Sequence, residues 1–130
     1  MAALRRDGVR RFALVTPYTQ DVVDKIALTY AAAGFEIIGG VHLGLTDNAS
    51  FADCEEAAVA EHCRVAAAES GVDAVVILCT NMRGAQSARA LQEVDGITVY
   101  DSIAVTVAET LRLGDLAPAE IVPPAFLARL

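Results

Sequence analysis

The sequence predicts an α/β fold, a single three-layer domain with helices on both faces of a four-stranded parallel sheet. Short apolar runs with strand-like composition alternate four times with segments whose apolar residues recur at helical spacing. Short loops join these segments, which is typical of strands and helices that build a parallel sheet. The 130 residues match the usual size of one domain, and 55% of them are hydrophobic, so one core is expected.

The alternation begins with a strand, a helix and a second strand. Arg11–Thr16 is the first strand-like run, and Thr19 or Asp21 can cap a helix over Asp21–Ala33. Gly34 stands where a glycine that ends a helix is expected. Phe35–Val41 is then predicted as the second strand.

A polar loop and a long helix come next. The loop His42–Ser50 contains glycine and short polar residues, which favour turns. Phe51–Ser70 is rich in alanine and is predicted as one helix, capped by Ser50 or Asp53 and ended by Gly71.

The last predicted elements are two strands and two helices. Ala74–Cys79 is apolar on both faces, as a buried parallel strand should be. Arg83–Val94 follows as a helix, Ile97–Tyr100 as the fourth strand and Ser102–Leu113 as the fourth helix. Residues 1–114 are therefore expected to form the α/β domain.

Residues 115–130 differ from this domain because prolines break regular structure there. The segment is nevertheless too apolar for a solvated end, and we expect it to pack on its own domain or on another chain, including a second copy. Its apolar residues are Ile121, Val122, Phe126, Leu127 and Leu130.

Charge and cysteine content exclude several classes of function. The net charge of −7 argues against nucleic acid as a partner, and an anion needs local donors to bind. No apolar run reaches about 18 residues, which argues against a membrane span. The N-terminal segment lacks the apolar stretch of a signal peptide, so we expect a cytoplasmic protein with reduced thiols. The spacing of its three cysteines and two histidines makes a metal site improbable.

Right-handed crossovers place the carboxyl ends of all the parallel strands at one edge of the sheet, where ligands bind in open α/β sheets. Cys79 ends the most apolar strand and is the strongest candidate there. If a helix starts near Asn81 or Arg83, its free N–H groups favour a thiolate and can hold a carboxylate. Position alone equally allows an inert, buried cysteine.

Two further loops reach the same edge. Tyr18, Thr16 and Thr19 can offer hydroxyl donors to a ligand, although a turn with a helix cap explains them as well. Asp47 and Asn48 follow the second strand, where they can be ligand contacts or simply turn residues.

Taken together, these motifs resemble the aspartate/glutamate racemase superfamily, and most closely its maleate cis-trans isomerase and arylmalonate decarboxylase branch. The resemblance covers Val9–Leu113 and matches the second of the family's two similar domains. Its motifs, each after a strand, are Thr16-Pro17-Tyr18-Thr19, Gly44-Leu45 with Asp47-Asn48, and Cys79-Thr80-Asn81-Met82-Arg83.

The resemblance implies a reaction on a small carboxylic or dicarboxylic acid with neither metal nor organic cofactor. Cys79 matches the second-domain cysteine that moves a proton, and Tyr18 matches a tyrosine that binds the substrate carboxylate. Thr80 and Asn81 match further donors of the same cradle. The Cys-Thr-Asn motif favours the isomerase over the decarboxylase, in which glycines commonly follow the cysteine.

The chain departs from the family in length, since the resemblance implies a protein about twice as long, with a cysteine from each domain. Cys54 and Cys63 are not expected to replace the first-domain cysteine, because both fall in a predicted helix. Three interpretations stay open. The chain is completed by a complementary first-domain chain, or it is a fragment with weak turnover, or it is a non-catalytic, flavodoxin-like module that binds a small anion.

Overall fold

The computed structural model describes residues 1–116, and these form an α/β domain around one parallel sheet. The strands are β1 (Arg11–Thr16), β2 (Glu36–His42), β3 (Ala74–Ile77) and β4 (Val99–Asp101). The helices are α1 (Ala2–Arg6), α2 (Gln20–Ala32), α3 (Asn48–Ala52), α4 (Glu56–Ala67), α5 (Ala85–Ala90) and α6 (Ser102–Leu113), and a π-helical segment, Leu91–Asp95, continues α5. The predicted tail, residues 115–130, lies almost entirely outside the described residues.

The sheet has the order β2-β1-β3-β4, and every neighbouring pair is parallel. The chain therefore moves outward from β1 to β2, then crosses back to place β3 on the other side of β1. Such a reversal opens a crevice at the carboxyl ends of the two strands, where α/β proteins bind ligands. In this sheet the crevice lies between the ends of β1 and β3.

Alternate residues of the strands enter two separate cores, which confirms the three-layer prediction. On one face, Val15 and Ile77 pack in a cluster with Val59 of α4 and Ala88 of α5. On the other face, Leu14 and Val76 belong to a second cluster together with residues of α1 and α2. The period of two along each strand sends neighbouring side chains to opposite faces.

A bulge in β2 sets the register of the edge strand. Phe12 pairs with Ile37, but Leu14 pairs with Gly40, so β2 carries one extra residue between these pairs. Gly40 has φ +142°, and a Cβ there would lie 1.9 Å from the Leu14 carbonyl oxygen. Only glycine fits this approach. The shifted register brings His42 beside Thr16 at the carboxyl edge.

Several observed elements differ from the predicted ones. β3 ends at Ile77, so Cys79 lies two residues beyond the strand that it was predicted to end, and α3 begins at Asn48, inside the predicted loop His42–Ser50. β4 begins at Val99 rather than at Ile97.

The basic segment Ala2–Arg6 forms a short helix that its sequence pattern did not indicate. The predicted helix over Phe51–Ser70 is two helices, α3 and α4, separated at Asp53–Glu55. The helix predicted from Arg83 begins at Ala85, because the chain turns through Thr80–Met82 before it becomes helical.

Candidate functional site

The site is built on the loop that follows β3. Leu78 leaves the strand but still donates its N–H to the Val15 carbonyl at 2.9 Å, which fixes Cys79 at the sheet edge. Cys79 is 4% exposed and packs in the core cluster on the α4 and α5 side. Its sulfur is therefore almost fully covered by the described residues.

One backbone donor points directly at this sulfur. The N–H of Asn81 lies 3.3 Å from Cys79 Sγ, within the range of a hydrogen bond to sulfur. The condition for a helix N-terminus beside the cysteine, a helix start near Asn81 or Arg83, is not met, since α5 begins six positions after Cys79 and has only six residues. A tight turn at Thr80 and Asn81 supplies the donor instead.

Tyr18 is the side chain from β1's end that reaches Cys79. It is half-buried, and its ring packs edge-to-face on Phe51 with centroids 5.5 Å apart. Burial raises the pKa of the Tyr18 hydroxyl, and hydrogen bonding to Cys79 and electrostatic interaction with it raise that pKa further. Tyr18 therefore remains a neutral hydrogen-bond donor beside the sulfur over a wide pH range.

The side chain of Asn81 is tied to the loop after β2. Its Nδ2 donates to the carbonyl oxygen of Asn48 at 2.6 Å. Asn48 is the first residue of α3, and Asp47 caps that helix by accepting from the N–H groups of Ala49 and Ser50, both at 3.0 Å. The Asp47 cap, the start of α3 and the turn after Cys79 thus form one connected unit.

The sequence left open whether Asp47 and Thr19 contact a ligand or have a local structural role. In the structure both are N-cap residues of helices. Asp47 is a helix cap, and the hydrogen bonds it accepts from Ser50 and from backbone N–H groups lower its pKa. The caps predicted for this region, Ser50 and Asp53, are wrong because α3 begins earlier. Thr19 is the N-cap residue of α2, although its hydroxyl bonds to Asp21 rather than to the helix backbone.

Thr16 lies at the end of β1 and is fully buried. Its hydroxyl donates to the Leu78 carbonyl at 3.0 Å, so it joins the end of β1 to the loop after β3. This contact fixes the spacing of the two strand ends that carry Tyr18 and Cys79.

A cavity of about 510 Å³ opens beside the same turn. Thr80, Asn81 and Arg83 line one part of it, and Glu56 of α4 lines another. Thr80 and Arg83 are exposed to solvent, whereas Asn81 is half-buried. Asn81 therefore belongs both to the sulfur's hydrogen-bond environment and to the wall of an open cavity.

The other two cysteines occupy different surroundings. Cys63 is fully buried in α4, and burial raises the pKa of its thiol to about 12, which makes it an inert core residue. Cys54 does not lie in a helix as predicted but in the break between α3 and α4. It packs against the cluster that contains Cys79, and burial, followed by the charge of Cys79, raises the pKa of Cys54.

Asp101 is a polar residue of this edge that the sequence pattern did not single out. It ends β4, is fully buried, and caps α6 by accepting from Ala104 N at 2.9 Å. Its second oxygen, Oδ2, has no hydrogen-bond partner in residues 1–116, and burial raises the pKa of the carboxyl group. The sequence does contain a signal for this cap. Asp101 directly precedes Ser102, where the fourth helix was predicted to start, and aspartate is a preferred N-cap residue.

Residues 1–116 show neither a metal-binding cluster nor a membrane-spanning helix. No group of three or more histidine, cysteine or acidic residues is placed to hold a metal ion. No helix among residues 1–116 has the length and apolar character that a membrane crossing needs.

Comparisons with known proteins include matches to arylmalonate decarboxylase and to maleate isomerases. The family model for arylmalonate decarboxylase matches residues 1–120. Nocardia farcinica maleate cis-trans isomerase bound to TRIS shares 29% identity with a TM-score of 0.84, and the match covers 95% of this chain and 50% of that chain. A comparison with curated proteins finds no match.

Two further solved structures have the same fold. An arylmalonate decarboxylase shares 27% identity with a TM-score of 0.68, and the match covers 78% of this chain and 45% of that chain. A maleate isomerase from Pseudomonas putida S16 is 22% identical with a TM-score of 0.80, covering 88% of this chain and 46% of that chain, and indicates the fold alone.

The chain spans about half the length of these solved relatives. Its fold is that of the maleate isomerase and arylmalonate decarboxylase branch of the aspartate/glutamate racemase superfamily, as the sequence motifs predicted. Because the family model extends over most of the chain, this protein belongs to the arylmalonate decarboxylase family.

Proposed function

We propose that the chain supplies one half of the active site of a cofactor-independent isomerase that resembles maleate cis-trans isomerase. Its substrate is a small carboxylic or dicarboxylic acid, and Cys79 is the acid/base that moves a proton at the reacting carbon. The other half of the cleft, with the second cysteine, comes from a complementary domain.

The observation that carries this proposal is the hydrogen bond from Asn81 N–H to Cys79 Sγ at the crevice between β1 and β3. The Asn81 N–H is a hydrogen-bond donor aimed at the sulfur that would exchange the proton. Tyr18 stands at the same sulfur as a neutral donor, so an oxygen bound there has a hydroxyl partner. A proton acceptor and hydrogen-bond donors therefore share one point of the sheet edge.

The chemistry explains why such donors are needed. In the isomerase reaction, the thiolate of the complementary domain's cysteine adds to one carbon of the double bond, and the neighbouring carbon takes a proton from Cys79. After rotation about the new single bond, Cys79 takes a proton back from that carbon, the double bond re-forms and the thiolate leaves. Both halves pass through an enediolate, which carries a second negative charge on the carboxylate. Preorganised N–H and O–H groups stabilise that charge, and removal of one such donor typically lowers the rate about 10²–10³-fold. We assign this role to Tyr18, Thr80 and Asn81.

Thr16 and Asn48 take positioning roles in this proposal. The Thr16 hydroxyl is already used by the Leu78 carbonyl, and the Asn48 carbonyl already accepts from Asn81. These contacts fix the two loops that carry Tyr18 and Asn81. They act on the substrate through the residues that they hold in place.

A chimera tests the proposal. This chain is fused to the part of the N. farcinica maleate isomerase that it does not match, and conversion of maleate to fumarate is followed by NMR. We expect measurable isomerisation by a folded chimera, and none when either part is assayed alone. A chimera that folds and binds maleate but does not isomerise it contradicts the proposal.

A second candidate function is decarboxylation of an arylmalonate. The match of residues 1–120 to the arylmalonate decarboxylase family model favours it. The same Cys79 then protonates the carbanion that remains after loss of CO₂. Assays of the chimera with maleate and with an arylmalonate separate the two reactions, because only one of them releases CO₂.

A third candidate is a binding module without chemistry, favoured by the low exposure of Cys79. Alkylation with iodoacetamide, followed by peptide mass spectrometry, distinguishes it from an enzyme. Acid/base use of Cys79 predicts faster alkylation of Cys79 than of Cys54 or Cys63. Equal or slower alkylation of Cys79 supports the binding module.

A further inference from the structure

We infer that Asp101 is a positioning residue of this site: its buried, uncharged carboxyl group supports Gly84 and thereby sets the turn that aims the Asn81 N–H at Cys79. Because Asp101 is fully buried, it acts on a ligand only through the loop that follows β3. Its consequence for catalysis rests on the proposed function, whereas its effect on the turn is measurable on this chain alone.

The unpartnered oxygen of Asp101 lies against Gly84, the last residue of that loop. A Cβ built on Gly84 would overlap Asp101 Oδ2 and would lie 3.0 Å from two side-chain carbons of Ile77. The φ of Gly84 is −90°, which any residue adopts, so the backbone conformation does not require glycine there. Glycine is required because the carboxyl group of Asp101 fills the space in which a side chain would lie.

Gly84 connects this contact to the turn at Cys79. Its N–H donates to the Met82 carbonyl at 2.9 Å, and its carbonyl accepts from Ala88 N at 2.8 Å. Gly84 therefore joins the turn to the start of α5. A displacement of Gly84 moves the segment that holds the Asn81 N–H 3.3 Å from Cys79 Sγ.

The other polar groups at the end of β4 already have partners. Asp101 pairs with Ile77 in the register of β4 and β3, and Ser102 donates its hydroxyl to the Ile77 carbonyl at 2.9 Å. The first carboxyl oxygen of Asp101, Oδ1, accepts from Ala104 N at 2.9 Å. The second oxygen is thus the one that faces the loop after β3.

The surroundings of Asp101 favour the uncharged form of its carboxyl group. Burial raises its pKa more than the N–H groups of Ala104 and Ile103 lower it. No arginine, lysine or histidine of residues 1–116 forms an ion pair with it, and the Cys63 thiol of α4, which interacts with it, offers no positive charge. Ionisation leaves a buried charge against Gly84, and the loop must move for water to reach that charge.

Hydrogen exchange of the Asn81 backbone amide, measured by NMR on the full chain, tests this inference. Asp101→Ser keeps an oxygen that can cap α6 but removes the second oxygen beside Gly84, and Asp101→Asn keeps the shape of the group without its charge. The amide of Ala104 reports the cap of α6, and the amides of β1 report global unfolding. Gly84→Ala, alone and combined with Asp101→Ser, measures the coupling between the two positions.

We expect Asp101→Ser to speed exchange at Asn81 about tenfold, the effect of losing a hydrogen bond of ordinary strength, while Ala104 and β1 exchange as in the wild type. Asp101→Asn should match the wild type at about pH 4. From about pH 4 to about pH 8, only the wild type should lose protection at Asn81, because only Asp101 ionises. Gly84→Ala should also speed exchange at Asn81, and by a smaller factor in the Asp101→Ser background, where the added methyl group has room.

Three results would each overturn the role of Asp101. They are unchanged exchange at Asn81 in Asp101→Ser, a parallel increase at Asn81, Ala104 and β1 in that variant, and the same pH profile of protection in the wild type and Asp101→Asn. None of them involves turnover, so they leave the proposed function standing. Failure of the folded chimera to isomerise maleate overturns the proposed function and leaves the contact of Asp101 with Gly84 intact.

Discussion

The backbone N–H of Asn81 lies 3.3 Å from Sγ of Cys79, two residues earlier in the chain. A second loop stabilises the turn that creates this contact, because the Asn81 side chain donates to the Asn48 carbonyl at 2.6 Å. The loop after β2 thereby positions the donor that faces the sulfur after β3. The first prediction tests this connection.

Asn81→Ala removes the side-chain hydrogen bond and keeps the backbone N–H. We expect a stability loss of about 1 kcal/mol, since a hydrogen bond of ordinary strength disappears. Turnover of the completed enzyme should fall far more, by about 10²-fold, because the site loses the side-chain donor assigned to Asn81 and the backbone N–H at Cys79 loses its orientation. Chemical denaturation and kcat measured on the same preparation check the two effects. If kcat falls only as far as the smaller folded fraction of the variant accounts for, the orienting role of the Asn81 side chain is contradicted.

The Tyr18 hydroxyl is predicted to respond to the loss of Cys79. Burial and then interaction with Cys79 raise the pKa of Tyr18, whereas burial alone raises the pKa of Tyr30. Cys79→Ala should therefore lower the pKa of Tyr18 toward its ordinary value and leave that of Tyr30 unchanged. Ultraviolet titration of the tyrosines measures both, and Tyr18→Phe identifies the Tyr18 signal. An unchanged Tyr18 titration would show that the two side chains do not interact.

The buried carboxyl group of Asp101 should make the free energy of unfolding depend on pH. Burial raises its pKa in the folded protein above the ordinary value of 3.8 that applies when the group is exposed. The folded state therefore holds this proton more tightly, so the free energy of unfolding falls as pH rises from 3.8 through the folded pKa. Above that pKa the penalty is constant.

Asp101→Asn removes this titration and keeps an oxygen that can cap α6. The variant should gain stability relative to the wild type as pH rises from about 4 to about 7. Urea denaturation across this range measures the difference between the two proteins. If the stability difference between Asp101→Asn and the wild type does not change with pH, the raised pKa of Asp101 is contradicted.

Gly40 is predicted to be the least replaceable glycine of the sheet. Gly40→Ala places a Cβ 1.9 Å from the Leu14 carbonyl oxygen and should cost more than about 4 kcal/mol or prevent folding. Gly96→Ala is the matched control, because Gly96 also has a positive φ, +70°, but open space around it. That control should cost about 1–2 kcal/mol. Thermal denaturation of both variants checks the contrast, and similar costs would rule out the close approach.

The fold was predictable because strand and helix periodicities differ and alternate cleanly along this chain. Arg11–Thr16 and Ser102–Leu113 have the predicted bounds, since each has strong periodicity and clear flanking residues. The bulge at Gly40 was not predicted, because it depends on a backbone approach that no local pattern encodes. The break between α3 and α4 at Cys54 was not predicted either, because the residues on both sides of it are good helix formers.

For the candidate site, parallel topology predicts that Tyr18, Asn48 and Cys79 reach one edge of the sheet, but it does not predict the contacts they make there. Their roles toward a ligand stay predictions. No local pattern indicated that the donor at Cys79 is a turn N–H, because the helix begins at Ala85 rather than near Asn81. Nor did it show that Thr16 donates to Leu78, since that bond joins residues 62 positions apart.

The turnover of Cys79→Ala in the chimera with the N. farcinica half tests the central claim most directly. Cys54→Ser is its control, because Cys54 is a half-buried thiol of the same cluster that the mechanism does not use. If Cys79 moves the proton, Cys79→Ala abolishes isomerisation and Cys54→Ser retains it. Retention of a substantial share of wild-type turnover by folded Cys79→Ala would contradict the account.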